Sequence, residues 1–233
     1  MCSLLGDKTR MHELSRDPNA YIRPSPSGGK LGGVARNTQD AIYLCECAGY
    51  KIIFIETVGV GQSELAVADM VDAFVLLIPP GGGDELQGIK KGIIERSHFI
   101  CITKADGDLI PAARRIQYDY LSAIKYMRPV SQNWKTKVMR ISAFTGEGLK
   151  ELWGDLEKYH QMMVSCGEFF SNRKDQRKSW MWNYIADNIV SIFKQHPAVK
   201  KKLNEMERQV IEGISTPGIA AEVLLKEFIK EVP

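Results

Sequence analysis

The sequence has few of the features that mark membrane, metal-rich and nucleic-acid-binding proteins. None of its apolar runs approaches the roughly 20 residues needed to span a bilayer. Five cysteines among 233 residues do not suggest a disulfide framework, and four scattered histidines provide no zinc-binding spacing. The net charge is only +3, and aromatic residues are not interleaved with Lys and Arg as base stacking requires. The composition, 44% apolar and 25% charged, is that of an ordinary soluble globular protein.

Two local clusters allow a binding interpretation but are explained more simply. We interpret the basic runs Arg173–Lys178 and Lys200–Lys202 as solvated helix faces rather than binding patches. Cys45 and Cys47 are two positions apart, so on a helix they point in different directions and a shared metal is disfavoured. We expect reduced, mostly buried thiols.

The first 165 residues alternate between short β-branched runs and longer stretches with helical spacing. The spacing predicts helices over Asn37–Gly49 and Pro111–Met127. Short strands separated by helices predict an α/β fold, a mostly parallel sheet with helices on both faces. The predicted strands are Ala20–Arg23, Lys51–Glu56, Ala73–Pro79, His98–Thr103 and Lys137–Ser142.

The strand pattern stops near Glu147, and the rest of the chain is predicted to be helical. We expect a first domain over residues 1–166 and a helical region over residues 167–233. The apolar face of this region packs either on its own domain or on a symmetric partner. Trp180 and Trp182 favour an interface, because aromatic side chains are costly to leave in water. The predicted helices are Gly148–Ser165, Trp180–Gln195, Ala198–Gly213 and Pro217–Lys230.

Two polar loops follow neighbouring strands, where open α/β sheets bind their ligands. After the His98 strand, Asp106 can accept two parallel hydrogen bonds from the N1 and N2 donors of guanine, and the Lys104 stem can lie along the base. After the next strand, Ser142–Gly148 can aim backbone N–H groups at guanine O6. Each loop alone is a weak motif, and a charged turn is the alternative for the first. Their order and spacing together indicate guanine recognition.

The run KIIFIETVGVGQSE combines a carboxylate with two close glycines. Glu56 can hold Mg²⁺ directly or through water, while Gly59 and Gly61 let the backbone approach a γ-phosphate. The position of a third dinucleotide-binding glycine is occupied by Glu64, which argues against a Rossmann site. An acid that caps the next helix is the alternative role for Glu56. Farther along, Gly81–Gly83 before an acidic helix start favours a mobile switch over a plain turn.

Six ordered runs resemble the family of ArgK-type GTPases, whose animal member is the methylmalonic aciduria type A protein. The similarity extends from about Ser3 to the end and includes WMWN and TPGIAAEVLL. The six runs are LLGDKTRM, LGGVARNTQDAI, IETVGVGQSELAVADMVD, PPGGGDELQGIKKGIIE, TKADGDL and ISAFTGEG.

The resemblance implies a P-loop-type fold and a GTP-hydrolysing metallochaperone that uses GTP/GDP and Mg²⁺. Such a protein binds methylmalonyl-CoA mutase, gates delivery of adenosylcobalamin, and protects or reactivates the mutase. The resemblance also implies a homodimer held by the C-terminal helices. It implies no nucleic-acid or membrane partner, and for animal members a place in the mitochondrial matrix. No targeting segment is evident in the sequence.

The same resemblance assigns roles to individual residues. Asp7 and Glu56 would lie in the magnesium shell, with Gly59 and Gly61 in the catalytic second switch, Val58–Glu64. A third switch, Asp84–Lys90, would face the mutase. Thr103 stands where most GTPases have Asn. The implied GTP-binding residues are Thr103, Lys104, Asp106, Ser142, Ala143 and Phe144, and the implied switch residues facing the partner are Asp84, Glu85, Gln87 and Lys90.

One element of the family is absent from the sequence, the Gly-rich loop that ends in Gly-Lys-Ser/Thr. The nearest approach, Gly28-Gly29-Lys30-Leu31, has Leu at the hydroxyl position and no apolar strand before it. That loop makes most contacts to the β- and γ-phosphates. We therefore expect these 233 residues to bind GTP poorly, and to be a fragment, a truncated gene model or a short isoform. The alternative is a module that dimerises and docks on the mutase without nucleotide chemistry. Nickel insertion is disfavoured because no His-rich tract is present.

Overall fold

The computed structural model describes residues 11–24, 38–57, 63–81 and 91–230. The chain forms two compact units, with the division after Gln176. This division is made by contacts alone. The functional boundary predicted between residues 166 and 167 therefore stays a prediction.

The first unit is built on a parallel three-stranded sheet. Its strands are β1 (Val75–Ile78), β2 (Phe99–Ile102) and β3 (Lys137–Arg140), in the order β1-β2-β3. Val75 pairs with Phe99, and Phe99 pairs in turn with Lys137. The predictions of an α/β fold and of strands within 73–79, 98–103 and 137–142 are confirmed.

The described helices agree closely with the periodicity of the sequence. The longest begins at Glu168, well before the predicted start at Trp180, because its first turns are polar and carry little apolar periodicity. The helices are α1 (Thr38–Cys47), α2 (Ser63–Ala68), α3 (Lys91–Glu95), α4 (Ile110–Ala123), α5 (Leu149–Ser165), α6 (Glu168–Gln195), α7 (Pro197–Ile211) and α8 (Pro217–Lys230).

Strand β2 is buried on both faces, which explains its unbroken apolar sequence. Ile100 and Ile102 pack against Tyr120 of α4 on one face. Phe99 packs against Tyr159 of α5 on the other face. Complete burial of each such side chain contributes about 1.5–3 kcal/mol. The prediction that helices cover both faces of the sheet is confirmed.

Two predicted strands, Ala20–Arg23 and Lys51–Glu56, are wrong. Both segments are described, and neither forms a strand. In the second segment, Ile55 packs towards the core while Ile52 and Phe54 are exposed, so the side chains alternate as in a strand. The segment is not part of a ladder, and alternation without a paired neighbour does not make a strand. Without a neighbouring strand or a covering helix, Phe54 is 80% exposed.

Two interpretations of polar side chains also need correction. Arg173 is not part of a solvated face, because it donates two hydrogen bonds of 2.7 Å to Asp72 and pairs with Glu46 at 2.9 Å. The thiols are free but not mostly buried. Of the four described cysteines, only Cys101 is buried, and Cys47 and Cys166 are exposed.

The second unit contains a helical hairpin of α7 and α8. Val199 is fully buried within it, and Lys202 of α7 pairs with Glu227 of α8 at 3.1 Å. Phe228 makes edge contacts with Phe193 and His196. No helix in the described part of the chain is long and apolar enough to cross a membrane.

Candidate functional site

The two loops predicted to bind guanine lie side by side at the carboxyl edge of the sheet. Strands β2 and β3 are neighbours, and the parallel pairing continues past their ends. Ile141 donates its N–H to Ile102 O at 2.8 Å, and Ala105 donates its N–H to Ile141 O at 3.1 Å. These bonds hold the loop after β2 against the loop after β3.

A hydrogen bond between Ser142 and Asp106 joins the two loops directly. The fully buried Ser142 hydroxyl donates to Asp106 Oδ2 and accepts the backbone N–H of Thr145 at 3.0 Å. A carboxylate has about four acceptor sites, so this bond leaves acceptor capacity on Asp106. The arrangement fixes the direction of the Asp106 carboxylate and keeps its other oxygen able to accept.

The turn before Asp106 has an unusual backbone. Lys104 has a φ of 52°, a left-handed conformation that costs a non-glycine residue about 1–3 kcal/mol. Just before it, Thr103 donates its N–H and its hydroxyl to Ile78 O of β1, at 2.8 and 3.3 Å. Thr103 therefore ties this loop to the neighbouring strand, and the exposed Lys104 side chain stands beside the site.

The loop after β3 is closed by its own backbone. Ser142 donates its N–H to Glu147 O at 2.9 Å, and Gly146 donates to Ser142 O at 3.0 Å. Those two donors are therefore already used. Within the described part of the chain, nothing accepts the backbone N–H of Ala143 or Phe144. These two adjacent N–H groups are the donors that the loop presents to a ligand carbonyl, and the Phe144 ring beside them is 92% exposed.

Gly148 closes this loop at the start of α5. Its φ is 76°, and a Cβ added there would lie 2.3 Å from Arg140 O. No side chain fits at that distance, so glycine is required for close approach as well as for conformation. This requirement explains the second glycine of the predicted Ser-Ala-x-x-Gly-x-Gly pattern.

The predicted phosphate and metal residues are not brought together among the described residues. Glu56 is exposed and lies outside the strands and helices. The described ranges contain no group of three or more His, Cys, Asp or Glu side chains that could hold a metal ion. One carboxylate does not form a magnesium site, so no chemical step through Mg²⁺ is derived. The predicted residues Asp7, Gly59, Gly61, Asp84, Glu85, Gln87 and Lys90 lie outside the described residues.

The strongly shifted pKa values belong to groups in the interior. Burial lowers the pKa of His98 to about 4, and its Nδ1 accepts the N–H of Phe74 at 2.9 Å. Burial also raises the pKa of the Cys101 thiol to about 12 and raises the pKa of the Tyr159 hydroxyl. His98 immediately precedes β2, at the edge opposite the two loops. These groups support the sheet and do not form part of the candidate site.

Sequence reasoning missed one polar cluster, at the turn that follows α2. Arg173 and Gln176 of α6 hold the turn that follows α2, through Asp72 and through Val71 O at 2.9 Å. Arg173 also stacks over the Phe169 ring at 4.5 Å. Asp72 and Arg173 are 101 residues apart. No local pattern in the sequence signals a contact over that separation.

Comparison with known proteins gives a consistent result. Residues 2–198 match the family model of the methylmalonyl-CoA mutase-associated GTPase MeaB. The chain is 59% identical over 226 residues to the mouse mitochondrial methylmalonic aciduria type A homologue, covering 97% of this chain and 54% of the mouse protein. It is 40% identical to the GTPase ArgK of Escherichia coli, covering 97% of this chain and 67% of that protein.

A solved structure agrees with these sequence relatives. The crystal structure of a LAO/AO transport system kinase superposes with a TM-score of 0.73 at 30% identity, covering 94% of this chain and 68% of that one. The mitochondrial homologue from Caenorhabditis elegans is 48% identical, with 97% of this chain and 57% of that protein covered. The chain thus spans little more than half the length of its animal relatives.

Proposed function

Because the chain belongs to the MeaB family of methylmalonyl-CoA mutase-associated GTPases, we propose that it forms the guanine-recognising and partner-binding part of a GTP-dependent chaperone. The client is methylmalonyl-CoA mutase. The chaperone gates delivery of adenosylcobalamin to the mutase and protects or reactivates it, at the expense of GTP. The family description and the names of the relatives support this proposal.

The Ser142–Asp106 hydrogen bond is the observation that carries the guanine-binding part of the proposal. It orients a carboxylate whose free Oδ1 and remaining acceptor site on Oδ2 can accept from guanine N1–H and N2–H. The unpartnered N–H groups of Ala143 and Phe144 are available to guanine O6. Adenine has neither that donor pair nor that carbonyl. Adenine in this position would therefore leave polar groups unpaired, and this cost selects guanine.

We also propose roles for the residues that would contact Mg²⁺ and the phosphates, which we call the phosphate half of the site; the residues that would contact guanine form the base half. Glu56 and Asp7 would hold Mg²⁺, and Gly59 and Gly61 would approach the γ-phosphate. Hydrolysis by these 233 residues is proposed to be impaired, because their sequence contains no Gly-Lys-Ser/Thr loop to bind the β- and γ-phosphates. We expect base-selective but weak nucleotide binding.

The test is a nucleotide titration with a matched pair of variants. The wild-type chain should bind GDP in the millimolar range and bind ADP more weakly, as measured by NMR chemical shifts. Asp106→Asn places an amide donor opposite guanine N1–H, so guanine binding should fall on the order of tenfold. The same variant should prefer xanthine nucleotides, whose C2 carbonyl can accept that donor. Asp108→Asn removes the same charge from an exposed neighbour and should change neither preference.

Two results would count against different parts of the proposal. Equal affinity for GDP and ADP, or an unchanged preference in Asp106→Asn, would remove the guanine site. Micromolar binding of a fluorescent GTP analogue to the wild-type chain would leave the base site in place but refute impaired binding.

We also propose that the chain forms a homodimer through its C-terminal helices. The stripe of apolar side chains on α6 supports this, since Trp182, Ile189 and Ile192 are 55–57% exposed. At 3.6 residues per turn they share one side of the helix with Met181 and Ile185. Ile189→Glu should convert the dimer to monomer in sedimentation equilibrium, and Asn183→Glu on the opposite side should not. A wild-type chain that stays monomeric at its highest soluble concentration would rule the dimer out.

The second candidate function is a module that dimerises and docks on the mutase without nucleotide chemistry. The missing phosphate-binding motif favours it for these residues. Mutase binding that is identical with and without GDP would support the module over the GTP-dependent chaperone. The segment Asp84–Lys90, with Asp84, Glu85, Gln87 and Lys90, stays the predicted mutase-facing switch.

We place the protein in the mitochondrial matrix, since the mouse and worm homologues are named mitochondrial.

A further inference from the structure

The outer side of α4 is a basic, tyrosine-bearing surface that the proposed function does not use. We infer that a docking surface for an acidic patch on a partner protein lies here, and we call it the α4 face. It is formed by Arg114, Arg115, Tyr118 and Leu121 of α4 and by Lys125 in the 3-10 turn Ile124–Tyr126 that follows the helix. The inference does not depend on nucleotide binding or on the C-terminal helices.

The α4 face is continuous because its members recur at helical spacing. Arg114, Tyr118 and Leu121 are separated by four and three positions, which puts them in one row along the helix axis, and Lys125 follows in the 3-10 turn at the end of the helix. From Arg114 to Leu121 the row is about 10 Å long at a rise of 1.5 Å per residue, and Lys125 extends it. The side of α4 that carries Ala113 and Tyr120 is buried, while Arg114, Tyr118 and Leu121, which lie on another side of the helix, are exposed.

The charge of this region is concentrated and uncompensated. Residues 109–135 contain five Lys and Arg and only one acid, Asp119, whereas the whole chain has a net charge of +3. All five cations are exposed. Within the described residues, none of Arg114, Arg115 and Lys125 makes an ion pair or a side-chain hydrogen bond. These cations are therefore available to acids on another molecule.

Apolar and aromatic groups lie between the cations. Tyr118 is 72% exposed and Leu121 is 40% exposed, and Tyr126 just beyond the helix is 89% exposed. Tyr and Arg are the side chains enriched at the centres of protein interfaces, where the ring provides rigid contact area at low entropic cost. A purely solvated helix face needs no such rings. Their presence distinguishes the α4 face from the exposed lysines Lys200 and Lys201 on α7.

The composition of the face favours a protein over other acidic partners. A single Leu gives too little apolar area to insert into a bilayer, and membrane-surface helices need a wide apolar side. A nucleic-acid groove requires cations that follow a phosphate backbone, whereas this row is short and has Asp119 at its margin. Carboxylates that flank an apolar contact match its spacing of cation, Tyr, Leu and cation.

The test uses a designed probe and charge-reversal variants of the full chain. The probe is a fluorescent, alanine-based helical peptide with Glu residues flanking a Leu–Tyr pair, and its twin carries Lys in place of each Glu. Fluorescence polarisation should show saturable binding of the acidic peptide and none of the twin. Arg114→Glu combined with Lys125→Glu should weaken binding on the order of tenfold or more, and Tyr118→Ala several-fold. Lys200→Glu combined with Lys201→Glu, the same charge change elsewhere, should leave binding unchanged.

Each outcome decides the inference. The inference is supported if only the variants of the α4 face lose binding of the acidic peptide, while Arg114→Lys retains it and the circular dichroism of the variants is unchanged. Absence of peptide binding overturns it, and so does equal weakening by the Lys200 and Lys201 variant, which would show nonspecific attraction. Tighter, α4-dependent binding of single-stranded RNA or of phosphatidylserine vesicles than of the peptide would also overturn it, in favour of that other partner class.

Discussion

Gly148 is the position where the structure makes its sharpest energetic prediction. The residue joins the Ser142 loop to α5 with a φ of 76°, and a Cβ there would lie 2.3 Å from Arg140 O and 3.2 Å from Ile141 Cγ2. Gly146, two residues earlier, has a φ of 78° with nothing within 4 Å of its added Cβ. The pair separates the cost of backbone conformation from the cost of steric overlap.

The magnitude follows from the two contributions. An L residue in the left-handed region costs about 1–2 kcal/mol, and reduced freedom of the unfolded chain returns about 0.4–1 kcal/mol. Gly146→Ala should therefore destabilise the first unit by about 1 kcal/mol or less. Gly148→Ala must in addition displace a backbone carbonyl at the end of β3, which as overpacking adds about 1–3 kcal/mol. Its total cost should be about 2–4 kcal/mol.

The assay is native-state hydrogen exchange of the β2 amides as a function of urea, which reports unfolding of the first unit alone. Gly154→Ala is a third variant, in the middle of α5, with no atom within 4 Å of the added Cβ. It should stabilise by about 0.5–1 kcal/mol because Ala favours helix. A cost for Gly148→Ala no larger than that for Gly146→Ala would refute the close approach to Arg140.

Two further predictions rest on buried groups. The pKa of His98 is about 4 in the folded state against 6.5 for the free side chain, so unfolding takes up a proton between these values. The neutral, buried imidazole contributes at most about 3 kcal/mol to the free energy of unfolding. This contribution is complete above about pH 6.5 and is lost as the pH falls towards 4. His98→Asn keeps an acceptor for Phe74 N–H and should reduce the fall in the urea midpoint between pH 7 and 5. If the midpoints of the variant and the wild type fall in parallel over this range, the prediction is wrong. Cys101, with burial raising its pKa to about 12, should resist a thiol reagent in the native protein while the exposed Cys47 is modified, as followed by mass spectrometry.

Elements whose formation depends on their own sequence were predictable, whereas elements that depend on contacts with distant segments were not. The His98–Thr103 strand was predictable because burial on both faces requires an unbroken apolar run. Segment Lys51–Glu56 has a similar run, yet it forms no strand, because strand formation also needs a hydrogen-bonded neighbour that the segment itself does not encode. The start of α6 at Glu168 differs from the predicted start at Trp180 for a comparable reason. The first turns of α6 are fixed by Arg173 and Phe169 contacts that apolar periodicity does not register.

The candidate site shows the same division. The proximity of Asp106 and Ser142 follows from topology, since loops after neighbouring parallel strands must meet. The hydrogen bond between them adds what topology could not supply, the direction of the carboxylate. The Asp72–Arg173 contact was not predictable, because it joins a turn to a helix 101 residues later without a shared motif. Specific polar contacts over such distances depend on packing that must first be known.

The base half and the phosphate half of the site rest on different parts of the chain, and this bears on what the chain can bind. The proposed base half lies on the loops that follow β2 and β3, and the side chains of β2 are buried in two hydrophobic clusters of the first unit. The residues proposed for the phosphate half, Asp7, Glu56, Gly59 and Gly61, all precede β1. Of these only Glu56 is described, and it is exposed and outside the sheet. Phosphate contacts provide most of the affinity in nucleotide hydrolases, while base contacts provide selectivity. We therefore expect these 233 residues, whose proposed base half is held by hydrogen bonds and whose sequence lacks the Gly-Lys-Ser/Thr motif, to select guanine more strongly than they hold GTP.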